Sequence, residues 1–207
     1  MLKNIDFYFI TDSALTKSSI TEDVKKAISA GVKIVQYREK NKSTKEMYEE
    51  AKVIRQLTEE KNVLLIINDR IDIALAVNAD GIHLGQEDMP FSVTRRLLEN
   101  KIIGLTVHNV EEAAEAEKTG ADYVGLSPIF ATTTKKDAGL ACGLGMIEKI
   151  SSKINIPLVA IGGITKDNIK GVIRSGADSA VAISAVLKAD VEEQVKDFIK
   201  IINESKK

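Results

Sequence analysis

Gly120-Ala121-Asp122-Tyr123-Val124-Gly125-Leu126 reads as a helix end that turns straight into a short buried strand. The glycine supplies the left-handed turn that closes a helix. The Ala-Asp pair fills a tight connection, and the apolar run behind it has strand length. The same reading recurs at Ala30-Gly31-Val32, Asn78-Ala79-Asp80-Gly81 and Gly176-Ala177-Asp178. Outward from these sites, Val- and Ile-rich runs mark 7–10, 33–37, 63–67, 81–84, 102–107, 123–126, 157–161 and 180–183. Charged amphipathic stretches, such as 43–61, 110–119 and 191–204, lie between them. Strands alternating with helical patterns imply βαβ units and a parallel sheet. Eight such units close a barrel, and such barrels begin at about 200 residues. The repeat precedes every second strand, so its unit is a pair of βα modules. The expectation is a single-domain α/β fold, a (β/α)8 TIM barrel of near-minimal length over residues 1–207. An open doubly wound sheet is the rival, and eight units in so short a chain favour closure.

Composition excludes several classes. With 44% hydrophobic residues the chain can bury a core, which a disordered chain cannot. Lys plus Arg total 29 against 30 Asp plus Glu, a net charge of −1 that argues against broad nucleic-acid binding. One cysteine, Cys142, makes no internal disulfide and suits a reducing cytoplasm. No apolar run reaches the roughly 18 residues of a membrane helix, and the first residues, MLKNIDFYFITDS, do not read as a signal peptide. No linker divides the chain. Aromatics at 4% fit a barrel interior filled by branched aliphatics. Ser43 to Glu46 has the spacing of a capping box, and Thr165 or Asp167 is expected to cap the helix after the seventh strand.

Barrel active sites lie at the C-terminal ends of the strands, and uncommon polar residues gather there. In KIVQYREK, Gln36, Arg38 and Lys40 are two apart and share the inner face, while Tyr37 faces the helices. Such a row must meet solvent, carboxylates or an anionic ligand; Arg offers a fork for phosphate oxygens and Lys a point charge. Asn68-Asp69 ends the third strand and Asp88 follows the fourth. Two carboxylates from adjacent strand ends suit Mg²⁺ with substrate phosphates, although Asp after a strand also serves turns. His83 points inward near the mouth, and His108 is equally ambiguous between core and site; the pair makes no zinc site. The connection from Gly125 to Gly145 is long for a minimal barrel and carries Thr132, Thr133, Thr134, Lys135 and Lys136, a set suited to anions or to a solvated loop. Gly162-Gly163 after the seventh strand and Ile183-Ser184 after the eighth match the recurrent barrel phosphate site. Two anion sites in one mouth point to group transfer with diphosphate leaving.

Taken together, Gln36 to Lys40, Asn68-Asp69, Gly81 to Gln86 with Asp88, Pro128-Ile129-Phe130 with Thr132 to Lys135, Ala160 to Ile164, and Ile183-Ser184 make the chain resemble the thiamine-phosphate synthase family over essentially its whole length. The resemblance implies joining of a hydroxymethylpyrimidine diphosphate to a thiazole phosphate, giving thiamine monophosphate and diphosphate. It implies that Gln36, Tyr37, Arg38, Glu39, Lys40, Asn68, Thr106 and Lys135 contact the pyrimidine diphosphate. Thr132, Thr133, Thr134, Gly163, Ile183 and Ser184 would hold the thiazole phosphate, and Asp69 and Asp88 would bind Mg²⁺. Arg38, Lys40 and Lys135 would stabilise the leaving diphosphate after ionisation to a pyrimidine methylene cation, which the thiazole nitrogen attacks. No protein nucleophile is needed. Thr106 stands where the family commonly has Ser, and Ala131 where Pro often precedes the first Thr; the latter is expected to loosen the loop. The implied partners are two phosphorylated heterocyclic substrates, with no nucleic acid and no membrane. A homo-oligomer is compatible with a sequence that does not set the assembly state. A thiazole tautomerase of the same fold would not need both carboxylates and the diphosphate clamp, nor would a non-catalytic sensor of thiamine intermediates.

Overall fold

The structure is a computed structural model describing residues 5–132, 134 and 139–206. Eight parallel strands follow one another round the sheet: β1 (Phe9–Ile10), β2 (Ile34–Tyr37), β3 (Leu64–Asn68), β4 (Gly81–Leu84), β5 (Ile102–Val107), β6 (Tyr123–Leu126), β7 (Leu158–Ile161) and β8 (Ser179–Val181). A parallel bridge from Phe7 to Ala180, with the Tyr8 amide donating to the Ala180 carbonyl at 3.1 Å, joins the last strand to the first. Helices α1 (Ile20–Ser29), α2 (Thr44–Glu60), α3 (Ile71–Ala76), α4 (Phe91–Leu97), α5 (Val110–Thr119), α6 (Leu144–Ser151), α7 (Ile169–Arg174), α8 (Ile183–Leu187) and α9 (Val191–Ser205) accompany them. The (β/α)8 barrel is therefore the architecture, and the open sheet is excluded. Among the described residues, no helix is long and apolar enough to cross a membrane.

Strand alternation separates two apolar regions. Outward residues such as Val35, Leu65, Ile67, Val124 and Leu126 pack against the helices. Inward residues Ile10, Ile34, Ile66, Val159 and Val181 meet Tyr8 and Tyr123 in the barrel axis. The Tyr123 ring and the β5 backbone crowd that layer. A Cβ on Gly104 would lie 2.1 Å from the Tyr123 ring, and one on Gly81 would lie 2.2 Å from the Ile102 carbonyl oxygen.

The repeat that opened the reading has a definite physical job. Gly31, Asn78, Gly120 and Gly176 all hold positive φ, between 50° and 105°, where the chain leaves a helix. The Asp two residues past the turn then does more than fill space. Asp80, Asp122 and Asp178 each accept, through Oδ2, the amide of Leu65, Ile103 and Leu158 at 2.8–2.9 Å. Each Asp amide donates back to the carbonyl of the same residue at 2.9 Å. The side chain thus satisfies a backbone donor at the start of the preceding strand, which would otherwise be orphaned at the barrel's lower rim.

The capping box of α2 is present, with Ser43 and Glu46 bonded reciprocally. The expected cap of α7 is corrected: Asn168, not Thr165 or Asp167, stands at its N-cap. The Asn168 Oδ1 accepts the Thr165 amide at 2.9 Å and its Nδ2 donates to the Gly163 carbonyl at 3.0 Å. The eighth strand also ends earlier than read, at Val181, and Ile183 already belongs to α8.

Candidate active site

A cavity of about 530 Å³ opens at the C-terminal mouth of the barrel. Gln36, Arg38 and Lys40 reach it from β2, Asn68 and Asp69 from β3, His83 and Asp88 from β4 and its loop, and Thr106 from β5. On the other arc of the ring, Thr132, Thr134, Gly163, Ile183 and Ser184 border the same cavity. Thr133 and Lys135 lie outside the described residues.

Two residues grouped with the pyrimidine contacts turn elsewhere. Tyr37 and Glu39 alternate with Gln36, Arg38 and Lys40, so the pleat sends them to the opposite face. The Tyr37 hydroxyl donates to Glu50 Oε2 on α2 at 2.8 Å. Glu39 Oε1 accepts the amides of Lys40 and Asn41 at 2.8 and 2.7 Å. Neither borders the cavity; Glu39 instead shapes the turn that carries Lys40.

The cations on the wall are held by carboxylates. Arg38 Nη1 donates to Asp12 Oδ2 at 2.8 Å, and Asp12 Oδ1 accepts the Ala14 amide at 3.0 Å. Asp12 is buried and follows β1 in the run Phe9-Ile10-Thr11-Asp12. Asp directly behind a strand, the pattern that marks Asp69, marks Asp12 as well, although the sequence alone gives it no partner. Lys40 Nζ donates to Asp69 Oδ2. Asp69 holds φ +60°, a left-handed conformation that Asp and Asn tolerate best among residues with a side chain. Its amide donates to the His83 carbonyl at 2.9 Å, which locks that turn beside β4.

Asp88 sits against Asp69. Its Oδ2 accepts the Gly85 amide at 2.7 Å. Burial and the neighbouring Asp69 carboxylate push the Asp88 carboxyl above its ordinary range, against the opposing pull of the Gly85 amide and Lys40. Two crowded, partly buried carboxylates repel each other, and a hard divalent cation would relieve that repulsion. Among the described residues no group of three or more His, Cys, Asp or Glu forms a metal cage. Asp69 and Asp88 are the residues that would hold a metal here, and a pair of carboxylates is the kind of donor set from which Mg²⁺, which keeps waters and takes phosphate oxygens, is bound.

The glycines after β7 are required by packing as well as by ligand approach. Gly162 and Gly163 hold φ +102° and +63°, and a Cβ on either would fall 2.7 Å from atoms of Pro128, Phe130 or Ala131. The segment after β6 is laid across them, with the amides of Ile129 and Phe130 donating to the carbonyls of Ile161 and Gly162 at 2.9 and 3.1 Å. Ile10, Ile161 and Val181 add an apolar part to the wall, and Ser127 and Gln86, the latter the last residue of the Gly81–Gln86 motif, add polar atoms. Gln86 Nε2 donates to the Thr106 carbonyl at 2.6 Å. His108 also borders the cavity, with Nδ1 3.0 Å from Glu112 Oε2.

Polar and charged side chains gathered at the C-terminal strand ends define a class: a (β/α)8 barrel with its open site where barrel enzymes carry theirs. The thiamine monophosphate synthase family model matches residues 7–186, and the chain belongs to that family, an enzyme family of thiamine biosynthesis. Similar relatives are the thiamine-phosphate synthases of Methanosarcina mazei, 56% identical over 100% of this chain and 86% of the relative, and of Methanosarcina barkeri, 54% identical over 100% and 94%. The solved thiamine phosphate pyrophosphorylase of Pyrococcus furiosus is 44% identical, covers 99% of both chains and superposes with a TM-score of 0.92.

Proposed function

We propose that the chain condenses 4-amino-2-methyl-5-(diphosphooxymethyl)pyrimidine with 4-methyl-5-(2-phosphoethyl)thiazole, or its carboxylated form, to thiamine monophosphate and diphosphate. One observation carries the reading. A cation and carboxylate cluster on β2 to β4 and a glycine-backed turn on β7 to α8 occupy opposite arcs of one cavity. Two phosphorylated reactants can therefore meet there with their anionic ends apart.

Arg38 and Lys40 face the diphosphate and oppose the negative charge that grows on it as the carbon–oxygen bond breaks. Asp69 and Asp88 would hold Mg²⁺, which when bound neutralises diphosphate charge as a Lewis acid. Gly163, Ser184 and the threonines Thr132 and Thr134 hold the thiazole phosphate, which fixes the ring nitrogen against the methylene carbon. Ile10, Ile161 and Val181 keep water from the cation that ionisation leaves. Lys135 and Thr133 join these two groups by the family resemblance.

The test mixes purified protein, Mg²⁺ and the two heterocycles and assays thiamine phosphate. Its appearance supports the reading; thiazole tautomerisation without it would assign the sibling activity. Asp69→Asn and Asp88→Asn should each slow turnover by orders of magnitude, and near-normal turnover would remove that carboxylate from the metal site. Asn at position 69 preserves the left-handed turn, so its effect reports charge rather than backbone.

A further inference from the structure

The barrel axis holds a continuous run of hydrogen bonds that none of the roles above uses. Gln36 Nε2 donates to the Tyr8 hydroxyl at 3.0 Å. The Tyr8 and Tyr123 hydroxyls are 2.8 Å apart, and Tyr123 is 3.0 Å from His83 Nδ1. His83 Nε2 is 2.9 Å from Thr106 Oγ1. Both ends of the run, Gln36 and Thr106, border the cavity, while both phenols are buried beneath it.

The sequence spends core volume on this run. Gly104 leaves room for the Tyr123 ring, and a Cβ on Gly125 would approach His83 Cε1 to 3.1 Å. The His83 and Tyr123 rings stack with centroids 5.5 Å apart. A layer that branched aliphatics could fill instead carries two phenols and an imidazole.

Donor counting gives the run a direction. Each phenol has one proton. Tyr8 receives from Gln36; a Tyr8 proton kept within the run goes to the Tyr123 oxygen, which in turn sends the Tyr123 proton to His83 Nδ1. A neutral imidazole that accepts at Nδ1 carries its proton on Nε2 and gives it to Thr106 Oγ1. The Thr106 hydroxyl proton is then left for the cavity, as is the Gln36 carbonyl. Reversing one bond forces every other bond to reverse, so the two ends are coupled.

We infer that Tyr8 and Tyr123 are positioning residues that, through His83, fix Gln36 as a hydrogen-bond acceptor and Thr106 as a donor toward the ligand, and so select an amino-bearing heterocycle over its oxo counterpart. This rests on the pyrimidine reading above. An exocyclic amine donates to the Gln36 carbonyl, whereas an oxo group in its place meets that carbonyl lone pair to lone pair. A phenol removed from the run frees the Gln36 amide to turn over and accept either ring.

The experiment compares kcat/KM for the aminopyrimidine diphosphate and its 4-oxo analogue in wild type, Tyr8→Phe and Tyr123→Phe. Each variant should lose about tenfold of the amino-over-oxo discrimination, the worth of one hydrogen bond of about 1.4 kcal/mol. Equal loss on both substrates would mean a purely structural role and overturn the inference. In parallel, ¹⁵N-histidine NMR, with His108→Gln used to assign the two rings, should find neutral His83 protonated on Nε2 in wild type. Tyr123→Phe should shift that tautomer balance; a wild-type proton on Nδ1, or no shift, would overturn the direction of the run. Should Tyr123→Phe fail to fold, Tyr8→Phe carries the kinetic arm. Should the wild type make no thiamine phosphate, the functional reading fails, while the tautomer measurement still decides the run.

Discussion

Asp12 holds the Arg38 guanidinium at the cavity wall. The guanidinium is a long arm with many rotamers, and a charge-assisted bond to a buried carboxylate confines it before substrate arrives. Asp12 in turn is fixed by the Ala14 amide, so the restraint reaches back to the end of β1. Asp12→Asn keeps the size and the amide contact but removes the charge. The expected outcome is a rise of about tenfold in KM for the diphosphate substrate, with KM for the thiazole phosphate changed less than twofold, read from steady-state kinetics with each substrate varied. An equal rise in both would place Asp12 in general stability instead. Gly104→Ala addresses a different residue-scale constraint. Its methyl would overlap the Tyr123 ring, and the strand cannot retreat without breaking the ladder to β6. A loss of about 1–3 kcal/mol in chemical denaturation is expected.

At the scale of elements, the repeat ties helix ends to strand starts, and its legibility was uneven. The left-handed glycines were readable because only a few residue types accept that backbone. The role of the aspartates was not, because their acceptor atoms serve a strand roughly 15 to 20 residues earlier in the chain. Asp122→Ala should cost about 1–3 kcal/mol by leaving the Ile103 amide unpaired. It should also remove the 2.6 Å bond that Arg95 donates to Asp122 from α4, leaving Arg95 its bonds to the Lys101 and Gly120 carbonyls. Asp178→Ala leaves the Leu158 amide unpaired in the same way, so a common loss in both variants measures the strand cap. Any excess at Asp122 measures the helix tether.

Glu39 shows the same limit on reading a strand end. Burial alone would raise its carboxyl, but the Asn41 and Lys40 amides, the Ser13 hydroxyl and the Lys42 ammonium outweigh burial and hold it below 4.5. A depressed acid stabilises the fold above its unfolded pKa, and that stability is lost as pH falls through the folded value. Glu39→Gln should therefore flatten the acid limb of the stability profile below about pH 4.5, measured as the denaturant midpoint against pH. The family resemblance alone groups it with Arg38 and Lys40 as a ligand residue. The two-residue period of the strand, applied to Glu39 as it was to Tyr37, separates it from them.

For the whole molecule, a net charge of −1 conceals a local arrangement: Arg38 and Lys40 beside Asp69 and Asp88 at one mouth. The barrel and the strand ends were legible because period and turn chemistry are local. The partnering of those charges was not, because Asp12, Asp69 and Asp88 come from three different strand ends that closure alone brings together. That arrangement makes a thermodynamic prediction independent of turnover. Crowded carboxylates disfavour the metal-free fold, and an anion alone would meet them with repulsion. Mg²⁺ and inorganic diphosphate should therefore bind together, each weak without the other. At about 100 times the dissociation constant the pair adds about 2.7 kcal/mol of stability. For a chain of this length that is a rise in Tm of about 5–10 °C. Differential scanning fluorimetry should show the rise only with both present, and a chelator should cancel it. Asp88→Asn should abolish most of it, whereas a full rise from diphosphate alone would mean that the cations of β2 hold the anion without a metal.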